Sequence, residues 1–206
     1  MVQTVLAHRV EASGPAAEAR RREILAAASR LFRAKGLQGA GMREIAAELG
    51  MTAGNLYYYF PSKQELLAYC QEATLDELLA GAERIVASTG SAAERLRKLV
   101  VAHVVCLNET YPGSLAHLEV EALASDRRQE LQAKRRLYEQ TIAGLIEDGV
   151  RARELTAHEP QMAALALLGA LNWTVKWYSP AGEKSAAQVG AAFADLFVEG
   201  LRSRER

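Results

Sequence analysis

The stretch TAGNLYYYFPSKQELL, residues 52–67, sets Tyr57, Tyr58, Tyr59 and Phe60 side by side in a chain with seven Tyr, four Phe and two Trp in all. Successive helical positions turn by about 100°, so four of them sweep roughly 300° and one core cannot bury them all. With Leu56 and Phe60 (i and i+4) turned inward, Tyr58 points nearly opposite the core and Tyr57 and Tyr59 lie on its flanks. An outward phenol donates its hydroxyl to a phosphate oxygen and lays its ring against sugar or a thymine methyl. Ala53 and Gly54 keep the front of the helix slender. Asn55 offers paired hydrogen bonds to adenine or a bond to phosphate, Arg43 suits a phosphate or a guanine edge, and Lys63 adds a phosphate contact. This is chemistry for a nucleic-acid surface.

Such side chains need short, well-stopped helices to aim them. Ile24, Leu25, Ala28, Leu31 and Phe32 repeat at helical spacing and predict a first helix over 16–35, ended by Gly36. A second, over 42–49, buries Ile45, Ala46 and Leu49 and stops at Gly50. Thr52 is the N-cap of a third that runs to residue 59. Two short helices around a tight glycine-containing turn make a helix-turn-helix. Pro61 breaks the pattern, and Ser62 to Glu65 opens a long fourth helix to about residue 87.

The remainder also reads helical. Ser91 to Glu94 starts a helix ending near NETYPG, and a shorter one follows over 115–123. A long helix covers 126–151, with Leu131, Tyr138, Ile142, Leu145 and Gly149 on one face. Pro160 begins a helix to 178, SPAG is a loop, and Ser185 to Gln188 opens the last helix to 201. No segment alternates as a strand should. The predicted fold is all-α with about nine helices: a loose arm over 1–15, a helix-turn-helix domain over 16–63, and a helical domain over 64–206.

Zero net charge hides an asymmetry. Residues 1–63 carry nine Lys/Arg against five Asp/Glu, and residues 64–206 carry sixteen against twenty. The basic end is the one that displays the tyrosines, which fits an anionic partner there. Cys70 and Cys106 have no metal or redox spacing and read as reduced thiols of a cytoplasmic protein. No signal pattern or bilayer-length apolar run points to a membrane. Phosphate loops, H-E-x-x-H and G-x-S-x-G are absent, and Glu119 and Glu121 point apart on a helix, so no catalytic residue, metal or cofactor is expected.

The segment GMREIAAELGMTAGNLYYYFPSKQELL resembles the DNA-binding part of TetR-type transcriptional regulators, from the first helix into the fourth. The resemblance implies a homodimer with recognition helices in successive major grooves of a palindromic double-stranded operator, controlled by a small hydrophobic effector. It places Arg43, Ala53, Asn55 and Tyr58 at base edges, and Met42, Thr52, Tyr57, Tyr59 and Lys63 at phosphates. One departure is visible. The second helix usually begins with Thr or Ser, but GAGM puts glycine at the cap, which costs a few tenths of a kcal/mol. A helical ligand-binding protein without operator binding is the competing reading. The retained Arg43, Tyr57, Tyr59 and Lys63 argue against it.

In the C-terminal part, Ala163, Leu167, Ala170 and Leu171 on one helix and Val189, Phe193, Leu196 and Phe197 on the other suit close helix packing. Two such helices from each subunit would form a four-helix dimer interface; the alternative buries both within one subunit. LNWTVKWYSPAG resembles a subgroup that responds to acyl-CoA thioesters. It puts Asn172, Trp173 and Trp177 at an effector site, though a Trp pair at i and i+4 more often serves core or dimer packing than a ligand wall. The resemblance adds His103, Cys106 and Leu107 from the pocket-lining helix. Arg135 and Tyr138, with nearby Arg127, Arg128, Lys134 and Arg136, could meet a CoA phosphate or form a solvated face with Glu130 and Glu139. His103 and His117 also read as core-edge histidines.

Overall fold

The structure is a computed structural model that describes residues 14–111 and 125–202. The helix expected over 115–123, His117, Glu119, Glu121 and nearly all of the expected arm lie outside the described residues. Eight α-helices are described: α1 (Pro15–Gly39), α2 (Met42–Glu48), α3 (Ala53–Tyr59), α4 (Lys63–Val86), α5 (Ala92–Val105), α6 (Ser125–Arg151), α7 (Pro160–Trp177) and α8 (Ala186–Leu201). A π-helical turn, Cys106–Thr110, continues α5. Among the described residues there is no strand, only one isolated bridge between Leu155 and Arg202.

Local signals set the boundaries. Gly36 has a φ of 71° and breaks the regular helix of α1 there, at the residue expected to stop it. Thr52, Ser62, Ser91 and Ser185 each accept a backbone N–H three residues on, and the last two complete reciprocal capping boxes. Gly41 caps α2 without any side-chain bond, as GAGM led one to expect.

Two apolar cores result. The first gathers Ile24, Phe32, Ile45, Leu56, Phe60, Leu66 and Leu75, and takes in Leu131 from α6. The second joins Leu78 and Ala82 to residues of α5 to α8, including Leu99, Ile142, Leu167 and Val198. Helix α4 therefore enters both cores. Helix α8 lies closely along α5 at Gly190, where an added Cβ would stand 2.9 Å from the Val101 Cα. Among the described residues, no helix is long and apolar enough to cross a membrane.

Candidate nucleic-acid interface and effector cavity

Helix α3 is held from behind and free in front. Leu56 and Phe60 are buried, and the Phe60 ring sits 5.2 Å from that of Tyr69. Tyr57 and Tyr58 are 46% and 55% exposed, whereas half-buried Tyr59 meets Tyr58 edge-on at 5.4 Å. Thr52 and Asn55 are exposed and Ala53 is half-buried. Thr52 Oγ1 accepts from the Asn55 N–H at 3.2 Å, which fixes the side chain at the cap and leaves its O–H to donate.

The start of α2, helix α3 and the start of α4 enclose a shallow open groove lined by Met42, Arg43, Tyr57, Pro61, Ser62 and Lys63, among others. Elsewhere in this half Arg30 pairs with Glu48 at 2.7 Å, Lys35 with Glu44 and Arg20 with Glu23, whereas Arg21 lies over the Phe60 ring and Arg33 bonds backbone carbonyls. Arg43 and Lys63 make no ion pair among the described residues. The groove thus carries two cations that no carboxylate among the described residues neutralises. Met42 corrects the family-based placement. Its side chain is only 7% exposed and packs in the first core, so a phosphate there could meet its backbone N–H at the helix start but not its thioether.

A second site lies between α4, α5, the π-helical turn and α6. A cavity of about 190 Å³ is walled by Leu78, Ala82, Ile85, Leu99, Ala102 and Val105, with His103, Cys106 and Tyr138 adding polar groups. Glu77 and Arg84 also line it, and pair with each other at 3.4 Å. His103 Nε2 is 3.0 Å from Asn172 Oδ1, and Nδ1 is 3.1 Å from the Tyr138 hydroxyl. An amide oxygen accepts, so Nε2 donates and Nδ1 accepts from the phenol. Burial lowers the His103 pKa to about 4 and pushes the Cys106 thiol up to about 12. His103 and Cys106 are therefore uncharged at neutral pH, and the charges at the wall are the paired Glu77 and Arg84. Four of the expected effector residues, His103, Cys106, Tyr138 and Asn172, are brought together; Leu107 is buried in the adjoining core instead of on the wall.

Arg135, one turn before Tyr138, leaves Nε and Nη2 buried without a hydrogen-bond partner among the described residues, and burial lowers its pKa to about 10. Lys134 instead bonds Glu72 at 3.2 Å and also meets Asp76, so it braces α6 on α4. The sequence reading missed the α4 wall, Glu77, Gly81, Arg84 and Ile85, because nothing marks which face of a long amphipathic helix borders a void.

Trp173 and Trp177 do not line this cavity. They are 60% and 50% exposed and continue a stripe on α7 with Met162, Leu165, Ala166 and Gly169. Trp177 stacks at 6.3 Å on Phe193 of α8, which is followed by Phe197 and the 69% exposed Leu196. On α8 this face contains the expected Phe193, Leu196 and Phe197, while on α7 it runs through residues other than the expected ones. Leu167, Leu171 and Val189 are already buried in their own subunit, and Ala163 and Ala170 are half-buried.

The neutral His103 has a measurable consequence. Its folded pKa of about 4 lies below the ordinary 6.5, so its contribution is full above pH 6.5 and is lost as pH falls towards 4. Over that window the parent should lose about 3 kcal/mol through this one group, and His103→Gln should lose correspondingly less in urea titrations at each pH. Equal slopes for the two proteins would refute the assignment. Among the described residues no cluster of three His, Cys, Asp or Glu could hold a metal.

Comparison with known proteins places these features. Residues 24–70 match the family model described as bacterial regulatory proteins, tetR family. Residues 89–201 match that described as tetracyclin repressor-like, C-terminal domain. The HTH-type transcriptional repressor KstR2 of Mycobacterium tuberculosis is 28% identical over 189 residues, covering 88% of this chain and 92% of the relative. The TetR-family regulator PfmR from Thermus thermophilus superimposes with a TM-score of 0.77 at 29% identity, covering 89% of this chain and 99% of that one. AibR, solved with isovaleryl coenzyme A and operator DNA, gives a TM-score of 0.74 at 24% identity, covering 90% and 100%.

Proposed function

Since the chain belongs to the TetR family of bacterial transcriptional regulators, we propose that it is a dimeric repressor that leaves a palindromic operator when a short acyl-CoA thioester binds. The observation that carries the DNA part is the groove where Arg43, Tyr57 and Lys63 stand together, unpaired and exposed to differing degrees, over anchors at Leu56 and Phe60. Tyr57, Tyr59, Thr52, Lys63 and the Met42 backbone would hold phosphates. Arg43, Ala53, Asn55 and Tyr58 would read base edges. The proposed division is an arm over 1–15, a reading head over 16–63 and an effector and dimerisation domain over 64–206.

The cavity supports the effector class. Its volume of about 190 Å³ compares with the roughly 150 Å³ that holds one benzene molecule, so a short or branched acyl chain fits and a fused-ring skeleton does not. Uncharged His103, Cys106 and Tyr138 suit a neutral acyl end. Half-buried Arg135 is a cation for the phosphates outside. The repressor KstR2 fits the repressor part of this reading, and the complex of AibR with isovaleryl coenzyme A fits the short acyl chain. KstR2 is itself a ketosteroid regulator, so its fused-ring class is the competitor that the acyl-CoA series must separate. The dimer would form through the exposed face of α7 and α8, leaving Leu167, Leu171 and Val189 as its support.

Effector binding would shift the population towards dimers whose recognition helices no longer sit one DNA turn, about 34–36 Å, apart. Helix α4 is the lever, because it enters both cores and lines the cavity. Selection of bound duplexes from a random library is expected to return a palindrome, and acyl-CoA thioesters should release it. Thermal shifts should peak at short acyl chains and vanish for fused-ring thioesters. A peak at the largest acyl groups would overturn the effector assignment, and a selection without a palindrome would overturn the operator assignment.

A further inference from the structure

Helix α1 is tied to the cavity side of the molecule by a clasp centred on Arg33. Three residues before Gly36, its guanidinium leaves the first core: Nη1 donates to the Asn108 carbonyl at 3.2 Å and Nη2 to the Tyr178 carbonyl. The cation also lies 5.3 Å from the centre of the Tyr178 ring. These acceptors belong to the π-helical turn and to the residue that caps α7. The Tyr178 hydroxyl donates to Glu109 Oε1 at 3.1 Å, and the same oxygen accepts from the Ala186 N–H, the first residue of α8, at 3.0 Å. Asn108 Nδ2 donates to Thr174 Oγ1 at 2.7 Å and to the Val104 carbonyl at 2.9 Å. One polar knot thus joins α1, the end of α5, α7 and α8.

Within this knot, the π-helical turn is the part whose register a one-residue slip could change. It closes through the Tyr111 N–H on the Cys106 carbonyl at 2.9 Å, and Cys106 and Thr110, at its two ends, line the cavity. A π turn reverts to α-helix by slipping one residue, which swings the carbonyls from the point of slippage onward by about 100° around the axis. Such a slip would carry the Asn108 carbonyl away from Arg33. Asn108 Oδ1, buried and without a hydrogen-bond partner among the described residues, fits a turn that is not locked into one pairing.

Resting on the function proposed above, we propose that Arg33 is a positioning residue that couples the cavity to the reading head, through the register of the π-helical turn 106–110. A ligand beside Cys106 and Thr110 acts on the turn, the turn acts on Arg33, and Arg33 sets the position of α1 under the DNA-reading helices. Coupling is reciprocal, so operator DNA must act back on the turn even when no effector is present.

Hydrogen exchange on the full chain tests this without an effector, using the tightest duplex from the library selection. In the parent, the duplex should change exchange in peptides spanning 104–111 as well as in those spanning 42–63. Arg33→Met should keep the response at 42–63 and lose that at 104–111 by at least fivefold. Arg33→Lys, with one ammonium for two diverging carbonyls, should restore it only in part. Tyr178→Phe, which removes the bond to Glu109 but keeps the carbonyl and the ring, serves as a second variant should Arg33→Met fail to fold; it should reduce the response at 104–111. Duplex binding with no response at 104–111 in the parent, or an undiminished response in the folded variants, would overturn the coupling alone. Failure to select any duplex would instead overturn the operator reading and this inference with it.

Discussion

Lys63→Ala is expected to flatten the salt dependence of operator binding by about 1.8 in the slope of log K against log salt. In a twofold dimer the change removes two phosphate contacts, each worth about 0.9 in that slope. A charge-assisted hydrogen bond contributes about 1.5–3 kcal/mol, so the two together should lower affinity by roughly 10²–10⁴. Tyr57→Phe makes a useful contrast. It deletes two bonds from an uncharged hydroxyl to phosphate, about 1.5–3 kcal/mol each, and should weaken binding by roughly 10²–10⁴ without altering the slope. Neither side chain supports the fold, since Tyr57 is 46% exposed and Lys63 pairs with no carboxylate among the described residues. Anisotropy titrations at several salt concentrations check both. An unchanged slope for Lys63→Ala would remove it from the phosphate contacts.

Leu196→Glu should break the dimer. Leu196 is 69% exposed in the single chain, beside Phe193, Phe197 and the tryptophan stripe of α7. A twofold interface uses the same patch from both partners, so one substitution buries two carboxylates at once. At about 3–5 kcal/mol for each unpaired buried charge, the dimer constant should weaken by at least about 10⁴. Sedimentation velocity should record monomers while circular dichroism keeps its helical signal, because the side chain takes no part in the subunit's own core. Operator affinity should fall with it, since a monomer cannot hold two recognition helices one turn of DNA apart. A dimer as tight as the parent's would place the interface elsewhere.

The helices and the reading head could be read from local signals. Thr52, Ser62, Ser91 and Ser185 cap helices where they were expected to, and Gly36 breaks one, because caps and positive-φ turns depend on residues three or four apart. The outward tyrosines followed from helical geometry alone once Leu56 and Phe60 were turned inward. Helix α3 is only seven residues long, so its two faces are fixed by its own sequence.

Only the tertiary structure decided the rest. Whether an apolar residue on α7 or α8 faces its own core or a partner depends on how those helices are rotated against α5, which separates buried Leu167 and Leu171 from exposed Leu165 and Trp173. The meeting of His103, Tyr138 and Asn172, and of Arg33, Asn108 and Tyr178, joins residues 35 to 145 positions apart, beyond the reach of any periodicity. Local backbone chemistry places a helix and its ends, whereas cavities and clasps are products of packing, in which each wall comes from a different part of the chain.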